Sequence, residues 1–343
     1  MRQLRTIAVT LLIATALMQP SMNAQERRVG ASSGNQVLIP VGGVGLAMAG
    51  AATATLTGVE AMYWNPGAVA YSRKGELMFS SMNYLADIKI SYVAATANLG
   101  NVGTLGFAIK SLNFGDILRT TDEDPDGLRG EQWSPNYITA SLTYAKAFTD
   151  RVAVGVTAKL ISETILSSTA TGLAVDAGVQ YTTPFDLKVA VVLKNLGNQM
   201  RYAGPDLERQ VARFPGDGPL NLLRTEIVAA AGELPSSFEI GAAYDFKFDP
   251  RNTVTLAANF RNNNFSEDEY QVGAQYAFQD LLFLRGGMNF DVSQHGENVF
   301  TNSFALGAGI NYRLGGVSIM LDYAYRSAKF FSGNQVFAVR LGF

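Results

Sequence analysis

Long segments in which apolar and polar residues alternate constrain this chain more than any other feature of its sequence. In residues 151–161, Val154 and Val156 fall on one side of the pattern, whereas Gly155 and Thr157 fall on the other. Successive residues of a β-strand point to opposite faces of the sheet, so such a segment has one apolar face and one polar or small face. The same two-residue period recurs from about residue 75 onward. The sequence therefore predicts a protein built from amphipathic strands.

The alternation predicts fourteen strands, most of them ten residues or longer. A strand that crosses a membrane needs about 9–11 residues, whereas strands of soluble proteins average about five or six. The predicted strands are 75–85, 88–99, 101–112, 135–148, 151–162, 171–182, 186–196, 235–247, 252–261, 268–278, 281–291, 300–313, 315–326 and 334–343. This pattern predicts an all-β fold, a transmembrane barrel of fourteen antiparallel strands.

The connections between the predicted strands alternate in length. Those after even-numbered strands are short, such as Gly100 or residues 279–280. Those after odd-numbered strands are longer, such as residues 113–134 and 197–234, and only residues 86–87 break the rule. Short periplasmic turns and long extracellular loops are typical of outer-membrane barrels. We therefore expect the chain to contact outer-membrane lipid, with its long loops at the extracellular end.

The first 24 residues have the layout of a secretory signal peptide. Arg2 and Arg5 precede an apolar stretch, residues 7–18, and a region ending at Ala24 follows. A spanning helix needs about 20 apolar residues, so this stretch is too short to be one. A buried N-terminal helix is the alternative. The layout predicts export, and with the barrel pattern it predicts the outer membrane of a Gram-negative-type bacterium.

Composition excludes several classes of function. The chain has no cysteine, so it can form neither a disulfide framework nor a cysteine-based metal site. Its net charge of −2 gives no basic field for nucleic acid. A single histidine, His295, cannot supply a Ser/His/Asp set or a cluster of histidine ligands. We expect no enzyme activity and no cofactor, with carboxylate-only catalysis as the remaining alternative.

An acidic loop offers one weak metal candidate. Asp122, Asp124 and Asp126 match the first half of a calcium loop. The twelfth position is Trp133 instead of glutamate, and Pro125 restricts the turn. A solvated acidic loop is therefore favoured over a calcium site.

Residues 25–74 precede the predicted barrel and do not alternate. A run of very small residues, 41–54, is followed by an aromatic box, residues 60–67. Small side chains permit close backbone approach, as in a short helix wedged into a confined space. A dinucleotide-binding loop is excluded because Met48 stands where the third glycine belongs and no strand precedes the glycines.

This segment resembles a known family. Residues 45–54 and 60–67 look like the N-terminal block of the PorV/PorQ family, which belongs to the wider FadL-like group of outer-membrane proteins. Residues 193–198 and the later pair 234–235 resemble that family's asparagine-leucine-glycine corner and leucine-proline strand entry. Gly67 departs from the box, where the family has alanine.

The resemblance covers nearly the whole mature chain and implies a fourteen-strand barrel plugged by its own N-terminal segment. The implied division is a signal peptide (1–24), a lumenal plug (25–74) and the barrel (75–343). The residues of the plug and turn motif are Gly45, Met48, Gly50, Ala51, Trp64, Asn65, Pro66 and Gly67. Asn65 and Pro66 are expected to make the turn into the barrel.

Charged residues on the polar strand faces must point into the lumen. An arginine or lysine on the lipid face near mid-membrane costs about 2–4 kcal/mol. Inside the barrel these residues either pair with one another and with the plug, or contact a passing solute. The predicted lumen-facing charges are Asp176, Lys194, Glu239, Arg285, Asp322 and Arg326.

Three functions remain open. The PorV resemblance implies an accessory component of type IX protein secretion, whose extracellular loops bind the translocon or secreted cargo. The alternatives are a FadL-type channel for hydrophobic small molecules and a structural outer-membrane protein. Loop 197–234 favours secretion because it mixes apolar residues with arginines, as interaction surfaces do, although the same residues could simply pack over the barrel mouth. The predicted interaction surface comprises Leu207, Val211, Phe214, Leu222 and Leu223.

Overall fold

Fourteen long strands form one closed antiparallel barrel in the computed structural model, which describes residues 32–121, 123–212, 222–291, 299–300 and 302–343. Consecutive strands pair with each other, and the first strand pairs with the last to close the ring. The strands are β1 (Gly75–Asn83), β2 (Lys89–Asn98), β3 (Thr104–Asn113), β4 (Asn136–Ala147), β5 (Val152–Ile165), β6 (Ser168–Thr182), β7 (Leu187–Gly197), β8 (Ser237–Asp249), β9 (Asn252–Asn263), β10 (Glu269–Phe278), β11 (Leu282–Phe290), β12 (Ser303–Leu314), β13 (Val317–Arg326) and β14 (Asn334–Gly342).

The predicted fold class is confirmed, and the strand boundaries differ from the predicted ones by a few residues. Two differences have a local cause. The third strand begins at Thr104 instead of residue 101, because Gly100–Val102 forms a 3-10 turn and Gly103 has a φ of 125°. The predicted loop 163–170 is wrong: β5 and β6 extend to meet at a tight turn in which Leu166 has a φ of 52°.

The alternation places apolar side chains outside the barrel and polar ones inside. Leu142 in β4 and Leu173 in β6 are 58 % and 62 % exposed, although both lie well within their strands. Thr157 and Asp176, which face each other across β5 and β6, are fully buried. This arrangement inverts that of a water-soluble protein and is typical of a barrel surrounded by lipid.

The N-terminal segment lies inside the barrel and is mostly irregular. Its short helices are α1 (Gly43–Ala47), α2 (Ala61–Trp64) and the 3-10 helices Asn35–Leu38, Gly58–Glu60 and Pro66–Tyr71. Glycine is required where the segment meets the wall: a Cβ on Gly43 would lie 2.6 Å from Cβ of Asp322. None of the helices in the described ranges is long and apolar enough to cross a membrane.

The two ends of the barrel differ. At one end the turns are tight, and Gln279 and Asp280 both adopt positive φ angles between β10 and β11. At the other end the long loops carry additional short pairings: Ile117–Leu118 with Gln132–Trp133, and Glu208–Ala212 with Leu222–Glu226. We refer to this second end as the mouth.

Candidate functional site

The aromatic box of the N-terminal segment makes a tight turn against β5 and β6. The side chain of Asn65 accepts a hydrogen bond from the Gly67 amide at 3.0 Å. Its Nδ2 donates to the carbonyl of Thr53 at 3.1 Å and to Oε1 of Gln180, on β6, at 3.4 Å. A Cβ on Gly67 would lie 2.7 Å from the carbonyl oxygen of Gly178. The box therefore packs directly on the backbone of the wall.

The small residues of the segment allow equally close contacts elsewhere. Gly45 packs against the Trp64 ring so closely that a Cβ there would overlap it, and a Cβ on Gly50 would lie 3.0 Å from the Gln271 side chain of β10. Met48 and Ala51 are almost completely buried in the same core. Pro66 begins a 3-10 helix that contacts β4, β5 and β6. The predicted motif residues thus lie together in the lumen.

Glu60 links the N-terminal segment to the far side of the barrel. Its Oε1 accepts from the amides of Val44 and Gly45 at 3.0 Å and 3.1 Å. Its Oε2 lies 3.5 Å from Nη1 of Arg340 on β14. Glu60 was not among the predicted site residues. The sequence does contain a signal that could have identified it, because Glu60 is the one charged residue between Arg28 and Arg73.

Three of the predicted lumen-facing charges form buried ion pairs on β5 to β8. Nζ of Lys159 lies 2.5 Å from Oδ2 of Asp176, and Nζ of Lys194 lies 3.1 Å from Oε1 of Glu239. Arg261 on β9 also reaches Glu239, with its Nε 2.9 Å from Oε1. Removing one partner of a buried pair leaves an uncompensated charge. Each of these buried charges is therefore compensated by an opposite charge on a neighbouring strand.

The other three predicted charges lie on β11 and β13 and are not equivalent. Nη1 of Arg285 lies 2.7 Å from Oδ1 of Asp322. Oδ2 of the same carboxylate lies 3.2 Å from Nη2 of Arg340. Arg326, by contrast, forms no ion pair with any described residue, and its guanidinium carbon lies 3.6 Å from the centre of the Phe300 ring.

Three cavities at the mouth have volumes of about 190, 240 and 360 Å³. The 240 Å³ cavity is bounded by the N-terminal segment and by residues at the ends of β9 to β13. Tyr84 forms part of its wall, and burial raises the pKa of this phenol, so it stays neutral. The 190 Å³ pocket is lined by Ser32 and by residues of loop 197–234, including Leu234. The 360 Å³ cavity lies between the N-terminal segment and residues at the ends of β3 to β5, such as Leu112 and Tyr137. None of the three is a long apolar tunnel.

The predicted interaction loop is described in part. Leu207 is half-buried, and Leu223 is 52 % exposed on the hairpin that pairs Glu208–Ala212 with Leu222–Glu226. The backbones of Val211 and Leu222 belong to that hairpin, whereas Phe214 lies outside the described residues.

The calcium candidate finds little support in the geometry. Asp122 lies outside the described residues, as does His295. Both carboxylate oxygens of Asp124 accept backbone amides, from Leu128 at 2.9 Å and from Arg129 at 2.8 Å. Asp126 is exposed. Within the described ranges no group of three or more histidine, cysteine, aspartate or glutamate residues could hold a metal ion.

Comparison with known proteins identifies the family. A family model described as type IX secretion system protein PorV matches residues 22–265, which run from before the lumenal segment to the loop after β9. This chain belongs to the PorV family. A comparison with curated proteins found no match.

Solved structures share the fold of this PorV-family chain. The CymD monoaromatic hydrocarbon channel is 14% identical, with a TM-score of 0.56 over 89% of this chain and 98% of its own. The P. putida toluene transporter TodX is 13% identical, with a TM-score of 0.54 over 89% of this chain and 99% of its own. At such identities the likeness extends to the barrel fold alone.

The PorV match includes the aromatic box and the Lys194–Glu239 pair, but it ends before β10. Arg285, Asp322 and Arg326 lie beyond it, on β11 and β13. The family match therefore does not cover the last third of the barrel.

Proposed function

We propose that this barrel is an accessory component of type IX protein secretion, and that its mouth binds the translocon or secreted cargo. Membership of the PorV family supports this role. In this proposal residues 1–24 are the signal peptide, residues 25–74 plug the lumen and residues 75–343 form the barrel in a Gram-negative outer membrane. The protein then works through its surface, without transporting a solute.

An exposed apolar patch at the mouth is the observation that carries the proposal. Leu223, Ile227 and Val228 lie on the long loop between β7 and β8 and are about half exposed or more, with Val228 at 68 %. Glu208 and Arg224 form a salt bridge across the hairpin beside them. Apolar side chains clustered outside the lipid-facing wall and bordered by charges are typical of a protein-binding surface.

The ion-paired interior of the barrel supports binding over transport. Lys159, Asp176, Lys194 and Glu239 fill the barrel centre as ion pairs, and Thr53 of the plug donates to Oε2 of Glu239 at 3.0 Å. A hydrophobic solute would have to separate these buried charges from their partners, and breaking a buried ion pair is costly.

A channel for hydrophobic molecules remains the second candidate because the wall has an irregularity. The pairing of β6 with β7 shifts register between Val175 and Ala177, and Asn195 opposite it has a φ of 58°. A side exit through a barrel wall needs such an interruption. The Asp176 carboxylate fills this position and accepts the Asn195 amide at 2.8 Å, so the interruption is occupied by polar groups.

Affinity isolation from native outer membranes after mild detergent extraction tests the two candidates. We expect the wild-type protein to recover a large translocon barrel or secreted proteins. The triple variant Leu223→Ser, Ile227→Ser, Val228→Ser should lose at least about 90 % of them, because it removes the exposed apolar patch and a tenfold loss of affinity corresponds to only about 1.4 kcal/mol. The control Leu128→Ser, on an exposed residue of another mouth loop, should lose none. Recovery of the wild-type protein alone, with a fatty-acid-like molecule bound, would instead support the channel.

A further inference from the structure

The 240 Å³ cavity at the mouth has walls of mixed character. Trp64 and Tyr63 of the N-terminal segment form one side, and Phe300 contributes a third aromatic ring. Polar side chains from the barrel complete the wall, among them Asn263 and Arg326. A volume of about 240 Å³ suits a small solute, because pockets for drug-sized ligands begin at about 300 Å³.

Several polar atoms in this wall are buried without a hydrogen-bond partner in the described chain. They are Nε and Nη2 of Arg326, Oδ1 of Asn263, Oδ1 of Asn289 and Oγ of Ser303. Buried polar atoms in folded proteins are nearly always paired, and each exception needs an explanation, such as a bound ligand or ion. Here five such atoms belong to four residues that line one cavity.

The orientation of the two amides follows from their other contacts. Nδ2 of Asn289 donates to Oε2 of Glu269 at 3.3 Å and to the carbonyl of Phe300 at 3.2 Å. Nδ2 of Asn263 donates to the carbonyl of Glu267 at 2.9 Å. Both amide nitrogens donate to groups of the protein, so the unpaired atoms are the amide oxygens. These oxygens are acceptors, and a ligand must therefore supply hydrogen-bond donors to pair with them.

Arg326 differs from the other buried arginines. Arg261 reaches both Glu239 and Glu269, and Arg285 reaches Asp322. Arg326 stacks on the Phe300 ring, which attracts a cation but offers no acceptor to the guanidinium N–H groups. A planar guanidinium with two adjacent N–H groups to satisfy matches the two oxygens of a carboxylate.

We propose that the mouth cavity binds a small organic acid that also carries hydrogen-bond donors, such as a hydroxy- or amino-carboxylate. The carboxylate accepts from Nε and Nη2 of Arg326, and the donors of the ligand bind the amide oxygens of Asn263 and Asn289. A fatty acid or a hydrocarbon would leave both amide oxygens unpaired. The proposal does not depend on the role in secretion, because a solute site can serve a docking protein or a channel.

The sequence supplies a spectroscopic reporter for this site. The chain has two tryptophans, Trp64 and Trp133, and Trp64 lines the cavity. In a Trp133→Phe background, all tryptophan emission comes from Trp64. We expect saturable changes in that emission when the purified barrel is titrated with 4-hydroxybenzoate, gluconate or serine. Octanoate, benzoate and chloride serve as probes that lack the donors or the carboxylate.

Substitutions test whether the change in Trp64 emission depends on the proposed contacts. Arg326→Gln should weaken binding at least about tenfold, as expected for loss of a charge-assisted pair, and Asn289→Ala should weaken it less. Arg129→Gln, on an exposed arginine of another mouth loop, should leave binding unchanged. The proposal is overturned if none of the three acids binds, if Arg326→Gln binds normally, or if octanoate, benzoate or chloride binds as well as they do.

Thermal unfolding separates a binding role for Arg326 from a structural one. Without added acid, Arg326→Gln should unfold at a temperature equal to or higher than wild type, since it removes a buried charge that has no acidic partner among the described residues. Arg285→Gln should unfold at a lower temperature because it breaks an ion pair. Equal destabilisation by both variants would make Arg326 a structural residue and would contradict the proposal.

Discussion

Gly155 of β5 and Gly178 of β6 lie directly opposite each other in the barrel wall, and together they form the recess that holds the aromatic box. A Cβ on Gly155 would overlap the carbonyl of Pro66, and a Cβ on Gly178 would lie 2.9 Å from Cδ of the same proline. Glycine normally weakens a strand interior, and it is found where another backbone approaches closely. The two glycines thus leave room in the wall for the N-terminal segment at this point.

Gly178→Ala should therefore destabilise the folded barrel. The added methyl has no room, and overpacking typically costs about 1–3 kcal/mol. The matched control is Gly75→Ala, where the nearest atom to the new Cβ would be 3.7 Å away. The midpoint of urea unfolding of the two variants, measured in the same detergent, checks this. Equal midpoints would mean that the box does not pack in the recess.

Asp322→Asn should be more damaging than the loss of an exposed carboxylate. Asp322 neutralises both Arg285 and Arg340, so the substitution leaves the buried Arg285 without an acidic partner among the described residues and leaves Arg340 with Glu60 alone. Breaking a buried pair costs about 3–5 kcal/mol. Asp150→Asn, at an exposed turn, should cost less than about 0.5 kcal/mol. Unfolding free energies of the two variants test this, and similar values would contradict the assigned pairing.

Glu60→Gln should loosen the N-terminal segment more than the barrel. The amide keeps an oxygen for the Val44 and Gly45 amides but loses the attraction of Arg340. We expect faster proteolysis of the lumenal segment at unchanged heat resistance of the barrel band in gel electrophoresis. Glu131→Gln, whose side chain is exposed, serves as the control. If the Glu60→Gln barrel unfolds before protease cuts the N-terminal segment, the substitution loosens the barrel itself and the prediction is wrong.

Leu142→Arg should impair insertion into lipid. The side chain points outward from the middle of β4, where an arginine costs about 2–4 kcal/mol near mid-membrane. Leu128→Arg, on a mouth loop, should insert like wild type. The fraction of each protein that folds into phosphatidylcholine vesicles is the measurement. Equal fractions would show that the outer face of β4 does not meet the lipid core.

The strands could be predicted from sequence because lipid outside and a packed lumen inside impose opposite polarity on alternate residues. Phe107 and Ile109 of β3 face outward, whereas Lys110 faces the N-terminal segment. The direction of each side chain can be predicted from its position in the two-residue period alone. Loop lengths were less predictable, since the turn at Leu166 depends on one residue adopting a left-handed backbone conformation.

Pairing inside the lumen could not be predicted in the same way. Lys159 and Asp176 are on adjacent strands, so their contact follows from register, whereas Glu60 meets Arg340 only because the plug folds back to the last strand. The sequence pattern likewise placed Arg326 among the lumen-facing charges without distinguishing it from those that form ion pairs. The two-residue period gives no distances across the lumen, and those distances decide which cation has no acidic partner among the described residues.

Site-specific photo-crosslinking in living cells tests the proposed docking role most directly. A photoreactive residue replaces Leu223 at the mouth in one variant and Leu142 on the lipid face in another. We predict that position 223 cross-links to a translocon barrel or to a secreted protein, whereas position 142 does not. Cross-links to such proteins from neither position, with normal folding of both variants, would contradict it.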